Sequence, residues 1–196
     1  MPFPELSLVN VDVSEVEHRG RRAMRMVERG SPERAMAILV GSDFQDGVIE
    51  ALVAGAPLPG AIPQARGFVG ISFRVSEEGA RGETFFLRPT NGRAPDQLRR
   101  NHATQYQSSP DFPWHRLRSE APGQYESYVD LEPGVWTQLR IVVSGTRAEL
   151  FVHDAAQPCL VVNDLKLGVA RGAVALWIGS GTEAFFADVL VWAAES

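Results

Sequence analysis

The sequence predicts an all-β protein: a two-sheet antiparallel β-sandwich of jelly-roll type, built as one domain over residues 1–196. Three observations carry this. The first is Trp136–Val152, where Leu139, Ile141 and Val143 alternate with Gln138, Arg140 and Ser144, and Ala148, Leu150 and Val152 resume the alternation after Gly145-Thr146. Only an extended chain sends every second side chain to one face, and Gly145 supplies the positive φ of a two-residue hairpin turn. The second is recurrence: about ten or eleven strand-like runs are separated by turn signals, with no convincing long helix between them. The third is composition. A chain of 196 residues with 44% hydrophobic and 22% charged residues can bury a core of its own.

Each element has its own warrant. Leu6–Val13 reads as an edge strand and Ala23–Glu28 as an alternating strand closed by Gly30-Ser31-Pro32. Pro32–Ala37 has the makings of a helical turn, but it runs straight into Ile38-Leu39-Val40, and 35–40 is read as strand. Asp46-Gly47 opens the strand 48–54, and three prolines mark 55–67 as a loop. In 68–75, Val69, Ile71, Phe73 and Val75 share one face. Glu83–Arg88 is a strand stopped by Pro89. Residues 125–131, 159–163, 173–178 and 183–192 complete the set, the last two joined by Gly179-Ser180-Gly181. Trp136 is expected to be largely buried.

Residues 89–123 differ. They are rich in Arg, Asn, Gln, His and Pro with aromatics interleaved, and show no sustained period. A long irregular segment inside a compact domain is uncommon and often functional.

Several classes are excluded or disfavoured. The net charge of −5 argues against a general nucleic-acid binder, with the Arg93, Arg99, Arg100 cluster a local exception. The single Cys159 permits no internal disulfide and no multi-cysteine metal site, and its apolar run predicts a buried thiol. No apolar run approaches the ~20 residues of a membrane helix. The first residues lack a basic segment followed by a hydrophobic one, so a cytoplasmic location is the expectation.

Asp46–Glu50 and Gly67–Phe73, then Trp136–Val143 with Gly145, Gly172–Trp177 and Ala184–Leu190, resemble strands of the concanavalin A-like lectin/glucanase superfamily, closest in flavour to its laminin-G-like and 3-keto-disaccharide-hydrolase-like branch. The resemblance spans roughly residues 40–192. It implies two curved sheets with ligand on the concave face or on loops at its edge. The superfamily's glucanases carry a Glu-x-Asp-x-Glu run. Here Glu15-Val16-Glu17 lacks the central Asp and the later Glu, which argues against a retaining glucanase mechanism. Some members hold a structural calcium, and Asp188 falls in a matching late strand. No set of oxygen ligands accompanies it, so neither metal nor other cofactor is expected.

Strand parity and residue chemistry nominate the site. If Ile49, Ala51 and Val53 face the core, Glu50 faces away; the same reasoning places Ser72 and Arg74, Thr84 and Arg88, Glu126, and Arg140 on a wet face. The irregular segment adds Asn91, Arg99, His102, Gln105, Tyr106, Trp114 and His115, which hydrogen-bond hydroxyls or offer flat apolar surfaces. Ligand binding is therefore assigned to Glu50, Arg74, Arg88, Asn91, Arg99, Gln105, Trp114 and Arg140. The ligand expected is a carbohydrate or another small polar molecule, held on the concave face and the segment 88–126. Two alternatives stand beside this: a glycoside hydrolase or lyase using His102, Tyr106 and Glu126, and a protein-interaction module.

Overall fold

The computed structural model describes residues 3–30 and 34–194; the turn expected at Ser31-Pro32 lies outside them. In chain order the strands are β1 (Leu6–Val9), β2 (Val11–His18), β3 (Arg21–Glu28), β4 (Met36–Leu39), β5 (Gly47–Pro57), β6 (Val69–Val75), β7 (Gly82–Leu87), β8 (Thr104–Ser109), β9 (Glu126–Ser127), β10 (Thr137–Ser144), β11 (Arg147–Val152), β12 (Leu160–Val162), β13 (Ala173–Ile178) and β14 (Thr182–Ala193). They form two seven-stranded sheets. Sheet A runs β1-β4-β13-β6-β7-β8-β9 and sheet B runs β12-β11-β10-β5-β14-β3-β2. Two short helices, α1 (Gln97–Arg100) and α2 (Trp114–Glu120), flank β8.

The core lies between the sheets. Ile71, Phe73, Phe85 and Leu87 of sheet A meet Ile49, Val53, Leu139, Ile141 and Phe186 of sheet B. The hairpin from β10 to β11 forms in the expected register, with Ser144 opposite Arg147 and Gly145 at φ 60°.

Four expectations need correction. Leu6–Val13 is not one strand: Asn10 takes φ 55°, so β1 joins the edge of sheet A and β2 the edge of sheet B. Residues 89–123 are not an irregular loop, because they contain β8. Thr104-Gln105-Tyr106-Gln107-Ser108-Ser109 is polar on both faces, so it lacks the apolar alternation that marks a strand. Residues 125–131 narrow to the two-residue β9. Trp136 is half-buried and lies outside the sandwich interior. It packs on the outer face of sheet B with Ala23, Ala54 and Phe185, and its Nε1 donates to the carbonyl of His18 at 3.2 Å.

The parity argument fails at Arg74 for a local reason. Between Ala173 and Ala175 of β13, β6 spends one extra residue, and Arg74 takes φ 53°. This β-bulge re-aims the side chain. Arg74, 1% exposed, donates to the carbonyls of Gln45, Gly145 and Gly168 and to Asp46 at 3.1 Å. It ties together the loops at one end of the sandwich.

Candidate functional site

The outer face of sheet A carries the concentration of polar and aromatic groups. Registered pairing puts Trp177, Gly70, Phe86, Gln105 and Glu126 in one row across β13, β6, β7, β8 and β9. The next row holds Ala175, Ser72, Thr84 and Gln107. Gly70 is required here: a Cβ would stand 2.1 Å from the Phe85 carbonyl oxygen. Across this glycine the rings of Trp177 and Phe86 approach to 4.8 Å between centroids.

At one end of the row is a closed ionic cluster. Arg88 is 4% exposed and Glu126 6%. Arg88 donates to the His102 carbonyl at 3.0 Å and to Gln105 Oε1 at 3.1 Å, and lies 3.7 Å from Glu126. Arg118, from α2, donates to Glu126 through Nε at 2.9 Å and also through Nη2. His102 Nε2 stands 3.4 Å from the same carboxylate. The Trp114 ring covers the cluster, with the Arg118 guanidinium 4.7 Å and that of Arg88 5.3 Å from its centroid; Phe86 lies on another side of Arg88 at 4.9 Å. Burial lowers the pKa of Arg88, Arg118 pushes the same way, and Glu126 opposes both. Burial also lowers the pKa of His102, again against Glu126.

The structure thus brings Arg88, His102, Gln105, Trp114 and Glu126 together. Asn91 and Arg99 stand just behind: Asn91 Nδ2 donates to the His102 carbonyl at 3.4 Å, and its Oδ1 accepts from Arg99 at 3.3 Å. Tyr106 is on the other side of the sheet. It is fully buried in the sandwich interior, donates its hydroxyl to Glu83 and accepts from the Lys166 amide at 2.9 Å. Burial raises the pKa of both the phenol and the Glu83 carboxyl. Tyr106 and Glu126 therefore cannot reach the same bond, and the trio His102, Tyr106, Glu126 is not one catalytic constellation. Glu50 and Arg140 are likewise elsewhere, paired across β5 and β10 on the outer face of sheet B, where Arg140 covers the Phe151 ring at 3.9 Å. Alternation separates inside from outside within one sheet, but the outer faces of two sheets point in opposite directions. His115 is exposed on α2. Asp188, the residue considered for calcium, is at a bulge in β14 and pairs with Arg21 at 2.6 Å. Cys159 is half-buried, and burial pushes its thiol up to about 11.

Beside the ionic cluster on the same face is an open recess of about 50 Å³, whose lining includes Ser72, Thr84, Gln107, Trp177, Arg34 and Arg81. Ser72 and Thr84 share a hydrogen bond of 2.7 Å, and Gln107 Oε1 accepts from the Trp114 amide at 3.4 Å. Two residues of this face carry a signal in the sequence. Trp177 alternates out of phase with Val174, Leu176 and Ile178, all core residues. Arg118 stands four residues after Trp114, one helical turn on.

No family model and no curated protein sequence matches this chain. Solved structures do. The carbohydrate-binding module CBM66 of Bacillus subtilis superposes with a TM-score of 0.59 at 11% identity, over 93% of this chain and 94% of the module. A Bacillus subtilis protein of unknown function with a galectin-like fold gives 0.55 at 10%, over 91% and 86% of the two chains. A candidate glycosyl hydrolase of Parabacteroides distasonis gives 0.54 at 9%, over 92% and 91%. At these identities the likeness concerns the fold alone: this chain is a two-sheet antiparallel β-sandwich of jelly-roll type.

Proposed function

We propose that this chain is a carbohydrate-recognition domain, with the saccharide on the outer face of sheet A, between Trp177 and the 88–126 segment. The observation that carries the proposal is the half-exposed Trp177 beside the recess of Ser72, Thr84 and Gln107. A sugar ring presents an apolar C–H face and a rim of hydroxyls. An indole supplies surface for the first, and hydroxyl and amide groups supply partners for the second. Trp114, 38% exposed and held over Arg88 and Arg118, offers a second apolar surface on that face. The fold shared with CBM66 supports the reading at the level of architecture.

The test is a glycan array followed by titration calorimetry on the wild type, Trp177→Ala and Trp114→Ala. We expect at least one oligosaccharide class to bind. Trp177→Ala should weaken it by roughly tenfold or more, the scale of one lost aromatic contact, with the β-type circular dichroism spectrum kept. Failure of every glycan on the array to bind the wild type would reject the proposal in favour of a protein-binding role.

A further inference from the structure

The recess beneath Trp177 is chemically one-sided. Among the described residues its polar lining consists of Arg34, Ser72, Arg81, Thr84, Gln107 and Ser109, with no carboxylate. Its side chains supply two guanidinium groups, one amide and three hydroxyls, so donors outnumber obligate acceptors. Among the described residues the guanidinium groups of Arg34 and Arg81 have no ion pair, side-chain hydrogen bond or ring contact. Among the described residues Arg19 is the only other cationic side chain in that condition, so two of the three unengaged cations share one recess. Glu77 and Glu78 occupy the same turn as Arg81 without a salt bridge to it. Gln107 spends its Oε1 on the Trp114 amide, and its Nε2 donates to nothing in the protein. The Ser72–Thr84 pair uses one hydroxyl proton and leaves the other.

The volume is informative too. A recess of about 50 Å³ exceeds the ~15 Å³ that one ordered water needs but is too small for a sugar ring. It suits a compact substituent, with the ring itself lying across the mouth on Trp177. A protein of net charge −5 repels anions at long range, so two arginines without an ion pair among the described residues at one recess are a local exception to its field.

We infer that the saccharide taken here is acidic, with its carboxylate or sulfate seated between Arg34 and Arg81. This rests on the carbohydrate reading above and adds the class of ligand. Arginine forks bind planar carboxylates and sulfates through charge-assisted hydrogen bonds, and Gln107 Nε2 with one hydroxyl completes a ring of donors.

The experiment is calorimetric titration with oligogalacturonate, the same oligomer fully methyl-esterified, a sulfated galactan oligomer, the unsulfated galactan oligomer, and polyglutamate of matched charge. The variants are Arg34→Gln and Arg81→Gln, whose side chains hold nothing else in place. We expect at least one charged oligosaccharide to bind roughly tenfold or more tightly than its uncharged counterpart, as loss of a charge-assisted contact predicts. Each variant should erase most of that preference with an unchanged melting temperature, and added salt should weaken wild-type binding. Which oligomer responds separates carboxylate from sulfate. Equal binding of charged and uncharged oligomers, or a preference untouched by both variants, overturns the inference while the carbohydrate reading stands. Polyglutamate bound as tightly as the acidic sugars overturns the saccharide assignment. No binding by any oligosaccharide overturns both.

Discussion

Two groups of arginines share the outer face of sheet A, and they are in opposite states. Arg88 and Arg118 converge on Glu126, beneath Trp114, with Gln105 and the His102 carbonyl taking further donors. Arg34 and Arg81 line an open recess with no acid among its described lining residues. In the first group both guanidiniums share one buried carboxylate and have further protein acceptors or aromatic neighbours. The guanidiniums of the second group have no such partners among the described residues. Arginine on a sheet face is thus ambiguous until its partner is known. A guanidinium buried beside a carboxylate belongs to the scaffold, whereas one without a protein partner at an open recess is available to a ligand.

The largest expected effect breaks the closed cluster. Glu126→Ala leaves Arg88 buried beside Arg118 without a counter-charge, and removing one partner of a buried ion pair costs about 3–5 kcal/mol. Urea denaturation measures it; a loss under about 1 kcal/mol would mean that the cluster is solvated and open to ligand in solution. A smaller effect is expected from pH. The folded pKa of His102 is depressed, chiefly by burial. The unfolded chain therefore binds the proton first as pH falls, and the contribution is lost below about 6.5, levelling off once pH passes the folded pKa. His102→Gln should flatten that part of the stability-against-pH curve, and an unchanged curve would place the titration elsewhere. The smallest effect belongs to the recess. Arg34→Gln and Arg81→Gln should change unfolding free energy by no more than about 0.5 kcal/mol, as for surface positions without partners. A larger loss in either would show that the arginine is structural after all.

How much of this was legible in the chain differs by residue. Ile49, Ile71, Phe85, Leu139 and Ile141 declare the core by alternation alone, and Gly145 declares its turn. Arg88 and Glu126 were placed on one face by parity, and they do meet there. Arg74 was misplaced because one bulge residue reverses parity locally, which no alternation pattern reveals in advance. Tyr106 was misplaced because β8 is polar on both sides: its inward tyrosine is satisfied by Glu83, a buried acid that hydrophobic patterning does not anticipate. Trp177, Arg34 and Arg81 were not combined because they come from three distant parts of the chain.

By itself, then, the sequence determined the class of fold, since period-two alternation and turn chemistry act between near neighbours and need no knowledge of the rest. It also determined which residue types were available for recognition. Only the tertiary structure decided which sheet each outward side chain belongs to, which arginines meet a carboxylate and which do not. Those outcomes depend on the pairing order of strands far apart in sequence. In this sandwich β13 inserts between β4 and β6, so Trp177 and Arg34 come to line one recess with Arg81.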